Sequence, residues 1–235
     1  MITIARNEFI MLFRNRLVAV SAVVVPVVFA VLLVWKRDNF GGAGAAATLQ
    51  IITMSALGVY ITATTTLAAR RQNNFLKKLR TTTASPWDIL GGILLPLAVL
   101  NVVQLAVIVG VLAAIDQPPA NAALVVLGVV GVEALFIAFA LATSCYTNSP
   151  EHAQVTTMPL FFVAFGVAFW IVLTGTGEHE MIKRILPGGG TAELILAGWN
   201  GADTIEAIRM IGATVMWICV AAIYARKGFR WESRA

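Results

Sequence analysis

Long apolar blocks alternate with short polar segments along most of the chain. A block of about 20 apolar residues is long enough to cross the hydrocarbon core of a bilayer as a helix. The pattern therefore predicts an all-α integral membrane protein with six transmembrane helices. The predicted membrane spans are residues 17–35, 49–69, 89–115, 122–145, 156–174 and 208–225.

Two segments outside these spans also have a helical pattern. In residues 1–16 apolar side chains recur at helical spacing and polar side chains occupy the other face, which predicts an N-terminal amphipathic interfacial helix. Residues 178–200 carry charged side chains, a glycine triplet and an apolar patch that is too short to cross a bilayer. This external segment predicts short re-entrant helices between the fifth and sixth spans.

Composition extends this interpretation to the whole chain. Apolar residues make up 59% of the 235 positions and charged residues only 12%, whereas soluble domains carry about 25% charged residues. Residues 1–235 are therefore expected to form a single transmembrane domain, and no part is expected to fold as a soluble domain.

The positive charges are unevenly divided between the two predicted sides of the membrane. Twelve of the 17 Lys and Arg residues fall in the N-terminal segment, the loop after the second span and the C-terminal tail. Loops rich in Lys and Arg remain on the cytoplasmic side. Both termini are therefore predicted to be cytoplasmic.

No motif for enzymatic chemistry occurs in the sequence. The Gly-rich phosphate-binding loop that ends in Lys and Ser or Thr is absent, so this chain is not expected to hydrolyse ATP in that manner. The two cysteines and two histidines lack the spacing of a metal site. We therefore expect no catalytic residue, no bound metal and no nucleic-acid partner.

Glu133 is the one acidic residue well inside a predicted span. A charge at the centre of a bilayer costs about 2.5–3.5 kcal/mol on insertion scales, so Glu133 should face the interior of the bundle. Three roles are open: a proton-coupling site, a contact for a cationic substrate, or a neutral acid bonded to a neighbouring helix.

Four further side chains within the spans are candidates for a substrate path. Asn101 and Gln104 are three residues apart and share one face of the third span, where they either bond to another helix or contact a substrate. Phe165 and Trp170 belong to an aromatic stripe on the fifth span. Such a stripe faces lipid by default, and the alternatives are a subunit seam or an apolar substrate path.

The loop after the second span is the most informative polar segment. Three apolar residues are spaced as one face of a short helix, predicted over residues 73–80, and three cations surround them. The apolar residues are Phe75, Leu76 and Leu79, and the cations are Lys77, Lys78 and Arg80. Anchoring to anionic lipid, at about 1 kcal/mol per cation, does not explain an apolar knob presented to water. Contact with the cleft of a soluble partner explains both features.

With these features the chain resembles the six-helix permease subunit of ABC-2 type ABC transporters over essentially its whole length. The most specific likeness is the segment NNFLKKLRTTTASPWDILGG at residues 73–92, in which a short basic helix precedes Ser-Pro. Three weaker features are RNEFIMLFRNR at residues 6–16, ILPGGGTAEL at 185–194 and ARKGFRWE at 225–232.

The resemblance implies that two such permeases, identical or paralogous, form the translocation path. Each would bind a separate cytoplasmic ATPase subunit that carries the ATP and Mg. Residues 73–80 would be the coupling helix. The N-terminal interfacial helix, residues 1–16, would be a connecting helix that also contacts the ATPase. The expected contact residues are Asn73, Phe75, Leu76, Lys77, Lys78, Leu79, Arg80, Glu8, Phe9 and Arg14. The substrate-path candidates remain Glu133, Asn101, Gln104, Phe165 and Trp170.

The resemblance further implies an exporter of a small amphipathic compound, of the drug or antibiotic class, in a bacterial plasma membrane. Export of a lipid or polysaccharide is the alternative within the same family. Outside the family, the main alternative is a proton-coupled secondary transporter that uses Glu133, although no internal repeat supports it. A membrane scaffold or immunity protein is a third possibility.

Overall fold

The computed structural model describes residues 41–201 and 204–232, together with some positions nearer the N-terminus. Those positions are Ala5, Arg6, Glu8, Ile10, Val28, Phe29, Val31, Leu32, Trp35, Lys36 and Arg37. All regular elements in the described part of the chain are helices, and no strand occurs there. The prediction of an all-α fold is therefore confirmed.

Within residues 41–201 and 204–232 the bundle consists of eight helices, α1 to α8. In chain order they are α1 Ala43–Gln72, α2 Phe75–Arg80, α3 Pro86–Ile115, α4 Ala122–Ser144, α5 Pro150–Thr174, α6 Glu180–Ile185, α7 Gly189–Asn200 and α8 Thr204–Gly228. Helices α1, α3, α4, α5 and α8 are long and apolar enough to cross a membrane. The described residues thus contain five candidate spans, and most of the predicted first span, residues 17–35, lies outside them.

Helix α1 begins at Ala43, six residues before the predicted start at residue 49. The sequence places this Gly/Ala-rich stretch in the connection between two spans, but it is helical and buried. Its small side chains permit close packing, since a Cβ added to Gly44 would lie 2.9 Å from the Cβ of Trp199 on α7. Small residues favour such close approach of helices in membranes, which explains why this stretch belongs to α1 and not to a loop.

Helices α3, α5 and α8 also begin before the predicted span starts at residues 89, 156 and 208. Ser85 and Ser149 precede α3 and α5, and each hydroxyl accepts a hydrogen bond from the backbone N–H three residues later. Each serine is followed by proline, and serine at the N-cap with proline at the first helical position favours helix initiation. The polar first turns of α3 and α5 are therefore helical, although their low hydropathy excludes them from the predicted spans.

Helix α1 lies at the centre of the bundle. In the most apolar 18 residues of α1, 83% of the residues are buried within the chain. The corresponding share is 22% in the most apolar 18 residues of α3 and of α8. Because α1 faces protein on most sides, its Thr, Ser and Gln side chains can bond to neighbouring helices. A π-helical turn, Ala56–Ile61, interrupts α1 near its midpoint, and such turns occur frequently at functional sites.

The five candidate spans alternate in direction, so the polar segments collect at two ends of the bundle. Residues 73–85, 145–149 and 229–232 lie at one end, which we call the basic end because of its exposed Lys and Arg residues. Residues 116–121 and 175–188 lie at the other end, which we call the opposite end.

Two short helices, α6 and α7, follow α5 at the opposite end. Helix α7 packs against α1, α4, α5 and α8. Its 12 residues extend only about 18 Å, which is too short to cross the roughly 30 Å core of a bilayer. Helix α7 is therefore a buried supporting element.

Each glycine of the triplet before α7 has its own structural reason. Gly188 has a φ of 87°, in the left-handed region that favours glycine. A Cβ added to Gly189 would overlap the backbone oxygen of Lys183 on α6. A Cβ added to Gly190 would lie 2.6 Å from the backbone oxygen of Met210 on α8. The triplet thus allows α7 to fit between α6 and α8.

Candidate coupling surface and intramembrane polar cluster

The short helix α2 follows α1 at the basic end after a tight turn. Asn74 in this turn has a left-handed backbone with a φ of 54°. Asparagine adopts this conformation more readily than most other residues. The turn ends α1 and allows α2 to pack against both α1 and α3.

The prediction that Leu76 forms part of an exposed apolar knob on α2 is wrong. Leu76 is fully buried within the chain, whereas Phe75 and Leu79 are half-buried. A side chain buried in its own bundle cannot fill the cleft of a partner. Leu76 instead anchors α2, because burial of a leucine side chain contributes about 1.5–3 kcal/mol.

The outward face of α2 is cationic. Lys77, Lys78 and Arg80 are exposed, and Asn73 in the preceding turn is exposed as well. Together with the half-buried edges of two apolar side chains, they form the surface that we call the α2 surface. Its residues are Asn73, Phe75, Lys77, Lys78, Leu79 and Arg80.

Arg71, in the last turn of α1, is buried although it is charged, with only 5% of its surface exposed. Its Nη2 donates hydrogen bonds to the backbone oxygen of Ser144 and, at 2.8 Å, to that of Thr147. The Ser144 carbonyl ends α4 and the Thr147 carbonyl lies just beyond it, where a cation is favourable. Arg71 therefore ties the end of α1, from which α2 extends, to α4.

The N-terminal segment contacts the last turn of α1, beside the start of α2. Glu8 is buried, and its Oε2 accepts a hydrogen bond from Arg70 at 2.7 Å. The Arg70 guanidinium also lies 5.0 Å from the ring centre of Phe75. Phe9 and Arg14, the other two residues expected at this contact, lie outside the described residues.

The C-terminal tail contacts the outward side of the same helix. Lys77 Nζ lies 3.3 Å from a carboxylate oxygen of Glu232. The Arg80 guanidinium lies 5.1 Å from the ring centre of Trp231. Both pairs are solvent-accessible, and such pairs each contribute no more than about 1 kcal/mol. The tail therefore lies beside α2 without burying its cations.

Glu133, Asn101 and Ser55 form a hydrogen-bonded group that we call the intramembrane polar cluster. Glu133 is 6% exposed and lies about halfway along α4. Its Oε1 accepts hydrogen bonds from Ser55 Oγ at 2.9 Å and from Asn101 Nδ2 at 2.5 Å. Asn101 Nδ2 also donates to Ser55 Oγ at 3.1 Å. The cluster therefore joins α1, α3 and α4 inside the bundle.

The π-helical turn of α1 begins immediately after Ser55 and borders this cluster. A Cβ added to Gly58 in the turn would lie 2.7 Å from Asn101 Oδ1, so only glycine leaves room for that amide. Tyr60 in the same turn is buried and forms a 3.0 Å hydrogen bond with Thr143 on α4. No sequence pattern predicts the turn, because its geometry depends on packing against α3 and α4.

The remaining substrate-path candidates are Gln104 on α3 and two aromatic residues on α5. Gln104 is half-buried on α3. Phe165 stacks between Phe161 and Phe169 with ring centres 6.1 Å apart in each pair. Trp170 is half-buried one turn before the end of α5. The structure thus places the aromatic candidates on a different helix from the cluster.

Lys183, at the opposite end of the bundle, is a buried charged residue that no sequence pattern indicates. Lys183 is fully buried on α6. Its Nζ donates hydrogen bonds to Thr174 Oγ1 at 2.8 Å and to the Gly175 backbone oxygen at 2.6 Å. The ammonium also lies 5.1 Å from the ring centre of Trp170. These contacts fix α6 against the end of α5.

Arg184 joins α6 to α7. Its Nε donates a 2.7 Å hydrogen bond to Glu193, and its Nη1 lies 2.7 Å from Glu180. Glu193 is fully buried. Burial raises the pKa of the Glu193 carboxyl, and the hydrogen bond from Arg184 opposes this shift. An acidic residue within the apolar patch after the glycine triplet was the available sequence signal.

Long apolar helices packed with a buried central helix define a multi-pass α-helical membrane protein. Residues 36–221 match the family model described as ABC-2 family transporter protein. The chain belongs to this family and is an ABC transporter permease, the transmembrane subunit rather than the catalytic one. Permeases of this family typically work with an ATPase subunit. A search of curated proteins found no match to the chain.

Proposed function

We propose that this chain is the permease subunit of an ATP-driven exporter of a small amphipathic compound, of the drug or antibiotic class. A separate ATPase subunit at the basic end would bind ATP and Mg, since this sequence contains no phosphate-binding loop. The observation that carries the proposal is α2, a short helix anchored by buried Leu76 and bearing three exposed cations.

The connections of α2 suit it to transmit movement into the bundle. It continues from the central helix α1 through a two-residue turn, and Arg71 ties that junction to α4. A displacement of α2 by a bound ATPase would therefore be passed to α1 and α4 together. Residues 73–80 thus serve as the coupling helix in this proposal.

The α2 surface defines the chemistry of the expected partner. Lys77, Lys78 and Arg80 would steer and orient an acidic surface on the ATPase, because charge complementarity acts on the encounter of two proteins. Phe75 and Leu79 supply an apolar edge to the same contact. The N-terminal segment would act as the connecting helix beside it, as supported by the ion pair of Glu8 with Arg70. Phe9 and Arg14 remain part of that proposal on sequence grounds alone.

The proposed topology includes a first span at residues 17–35, which gives six spans. Glu8 pairs with Arg70 at the basic end, whereas Arg37 pairs with Asp116 at the opposite end at 3.4 Å. These two ion pairs, on either side of residues 17–35 and at opposite ends of the bundle, support the proposed sixth span. Six spans place both termini at the basic end, which would face the cytoplasm of a bacterial cell.

A second permease, identical or paralogous, would complete the translocation path. Apolar side chains are exposed along α3, α5 and α8, which provides faces for lipid and for a second permease. Gln104, Phe165 and Trp170 lie half-buried on α3 and α5, and we propose them as substrate contacts. Glu133 and Asn101 would join that path only when the intramembrane polar cluster opens.

A small substrate is favoured by the described part of the opposite end. The α3–α4 connection is a short turn, and α6 and α7 pack as a compact cap over α5, α1 and α4. We propose that α6 and α7 are re-entrant helices at the outer mouth of the path. No external domain that would handle a polysaccharide is present among the described residues.

Charge reversal on α2 tests the proposed coupling. The variant Lys78→Glu is expected to reduce the recovery of the ATPase subunit with the purified permease about tenfold, equivalent to roughly 1.4 kcal/mol. The physical reason is repulsion between the new carboxylate and an acidic partner surface. The measurement is affinity purification of the tagged full-length chain from native membranes, with quantitative mass spectrometry of its subunits and an ATP hydrolysis assay.

Arg209→Glu is the matched control, because Arg209 is an exposed cation on α8 near the opposite end. This variant makes the same change in charge, and ATPase recovery is expected to stay at the wild-type level. Undiminished recovery with Lys78→Glu would contradict the coupling role of α2. Transport by the purified chain without any ATP-hydrolysing subunit would contradict the proposed function itself.

A further inference from the structure

The hydrogen bonds of Glu133 give its two carboxyl oxygens different roles. Oε1 accepts from Ser55 and Asn101, whereas Oε2 is buried and has no hydrogen-bond partner among the described residues. Both donors to Oε1 are neutral groups. A buried carboxylate without a cation or further donors is strongly unfavourable. The surroundings therefore fit a neutral acid, with Oε1 as the carbonyl oxygen and the proton on Oε2.

The titratable side chains on the helices that pack against α4 either bond to residues other than Glu133, are exposed, or lie near the helix ends. Tyr60 on α1 bonds to Thr143, and Glu193 on α7 bonds to Arg184. Cys219 on α8 is exposed. The other titratable side chains on these helices lie within two turns of a helix end: Arg70, Arg71, Asp88, Glu151, His152, Glu206, Arg209, Tyr224, Arg226 and Lys227.

We propose that Glu133 is a proton-binding site within the membrane and that its bound proton holds α1, α3 and α4 together. The step is the formation of one O–H bond. Ionised Glu133 takes a proton from a hydronium ion, whose O–H bond breaks to leave water, and becomes the neutral acid. The reverse step returns that proton to water as hydronium. Loss of the proton would leave a buried charge beside Asn101 Oδ1, which is itself a buried acceptor without a donor among the described residues. The cluster would then have to open to admit water or a cation.

The position of the site gives proton binding a mechanical consequence. Ser55 is the residue before the π-helical turn, and α1 leads directly to α2 at the basic end. Opening the cluster would release the central helix from α3 and α4 at its midpoint. Proton occupancy of Glu133 would thereby control how firmly α1 is held. This inference concerns the permease chain alone and does not depend on the identity of the ATPase or the substrate.

Infrared spectroscopy of the purified full-length chain tests proton occupancy directly. At neutral pH the wild-type chain should show the carbonyl stretch of a protonated carboxylic acid, and Glu133→Gln should abolish it. Glutamine keeps an Oε1 acceptor for Ser55 and Asn101, so this variant mimics the neutral acid. Glu193→Gln, at a fully buried carboxyl on α7, is the matched control and should leave the Glu133 band in place. Identical spectra for wild type and Glu133→Gln would overturn the proposal.

The pH dependence of unfolding gives a second readout. Folded Glu133 retains its proton near neutral pH, whereas an unfolded chain in water ionises it. The folded state then binds more protons, so its stability falls as pH rises. The unfolding equilibrium constant of wild type should increase up to about tenfold more per pH unit than that of Glu133→Gln. Parallel pH profiles for the two chains would show that Glu133 carries no such proton.

Two variants perturb the cluster without changing Glu133, which keeps the proposal testable if Glu133→Gln fails to fold. Ser55→Ala removes one donor to Oε1, so the carboxylic acid band should move to higher frequency. Gly58→Ala displaces Asn101 through its contact with Oδ1 and should move the same band. An unchanged band in both variants would exclude Glu133 as its source. These tests need no ATPase, so their failure is distinct from failure of the coupling test on Lys78.

Discussion

Arg71→Met is expected to destabilise the folded chain by about 3 kcal/mol, because hydrogen bonds from charged groups contribute about 1.5–3 kcal/mol each. Arg71 is buried and donates to the backbone oxygens of Ser144 and Thr147. Methionine retains much of the apolar stem but leaves both carbonyls without this donor. The measurement is the thermal unfolding midpoint of the full-length chain in detergent, with an expected decrease of about 6–12 °C.

Arg70→Met is the matched control from the same helical turn. Arg70 pairs with Glu8, and its side chain is 25% exposed. An ion pair that is accessible to water contributes about 0–1 kcal/mol, so a decrease of no more than a few degrees is expected. An equal decrease for the two variants would contradict the special role of Arg71. Full stability of Arg71→Met would show that the end of α4 does not depend on this arginine.

Adjacent arginines also show where sequence reasoning stops. Both Arg70 and Arg71 count as loop cations when Lys and Arg predict the orientation of the chain, so the two residues are equivalent at that level. In a helix, neighbouring residues point about 100° apart around the axis, so one can face water while the other faces a neighbouring helix. Which one is buried depends on where α4 ends beside α1, and no property of the two side chains encodes that position.

Hydropathy located α3, whose side chains are largely exposed, better than the central helix α1. Helix α3 has a mean hydropathy of 2.5 in its most apolar window, whereas the value for α1 is 1.5. A helix surrounded by protein can carry Thr, Ser, Gln and Gly in place of large apolar residues. The first turn of α1, from Ala43, therefore resembles a loop in sequence although it is buried in the structure.

The interior position of Glu133 followed from the cost of a charge in a bilayer, but its partners did not. Asn101 was identified as a polar residue on a membrane helix, with helix bonding as one of two roles. Ser55 was not identified, because one serine on a helix with many hydroxyl residues is not a distinctive signal. The register of α1 against α4 decides which hydroxyl reaches the carboxyl group, and that register is a property of packing.

The same limit applies to the apolar residues of α2. Their helical spacing predicts a common face, and that much follows from periodicity. Whether the face turns toward the bundle or toward a partner depends on the turn at Asn74. The structure turns Leu76 inward, so substitution of Leu76 by a charged residue would test folding rather than partner binding.

Gly189→Ala is expected to destabilise the folded chain by about 3 kcal/mol, at the upper end of the range for overpacking. The added Cβ would overlap the backbone oxygen of Lys183, and a backbone atom cannot rotate away as a flexible side chain does. Helix α7 would have to move from α6, which also strains the buried pair of Arg184 with Glu193. The measurement is the thermal unfolding midpoint in detergent, together with the yield of monodisperse protein.

Gly166→Ala and Gly212→Ala provide the contrast, because among the described residues nothing lies within 4 Å of a Cβ added at either position. Both glycines lie inside long helices, α5 and α8. Alanine there reduces the conformational freedom of the unfolded chain and is expected to stabilise by about 0.4–1 kcal/mol. The sign of the effect should therefore reverse between Gly189 and these two sites. A stabilising or neutral Gly189→Ala would show that α6 and α7 are not in the close contact on which the cap at the opposite end depends.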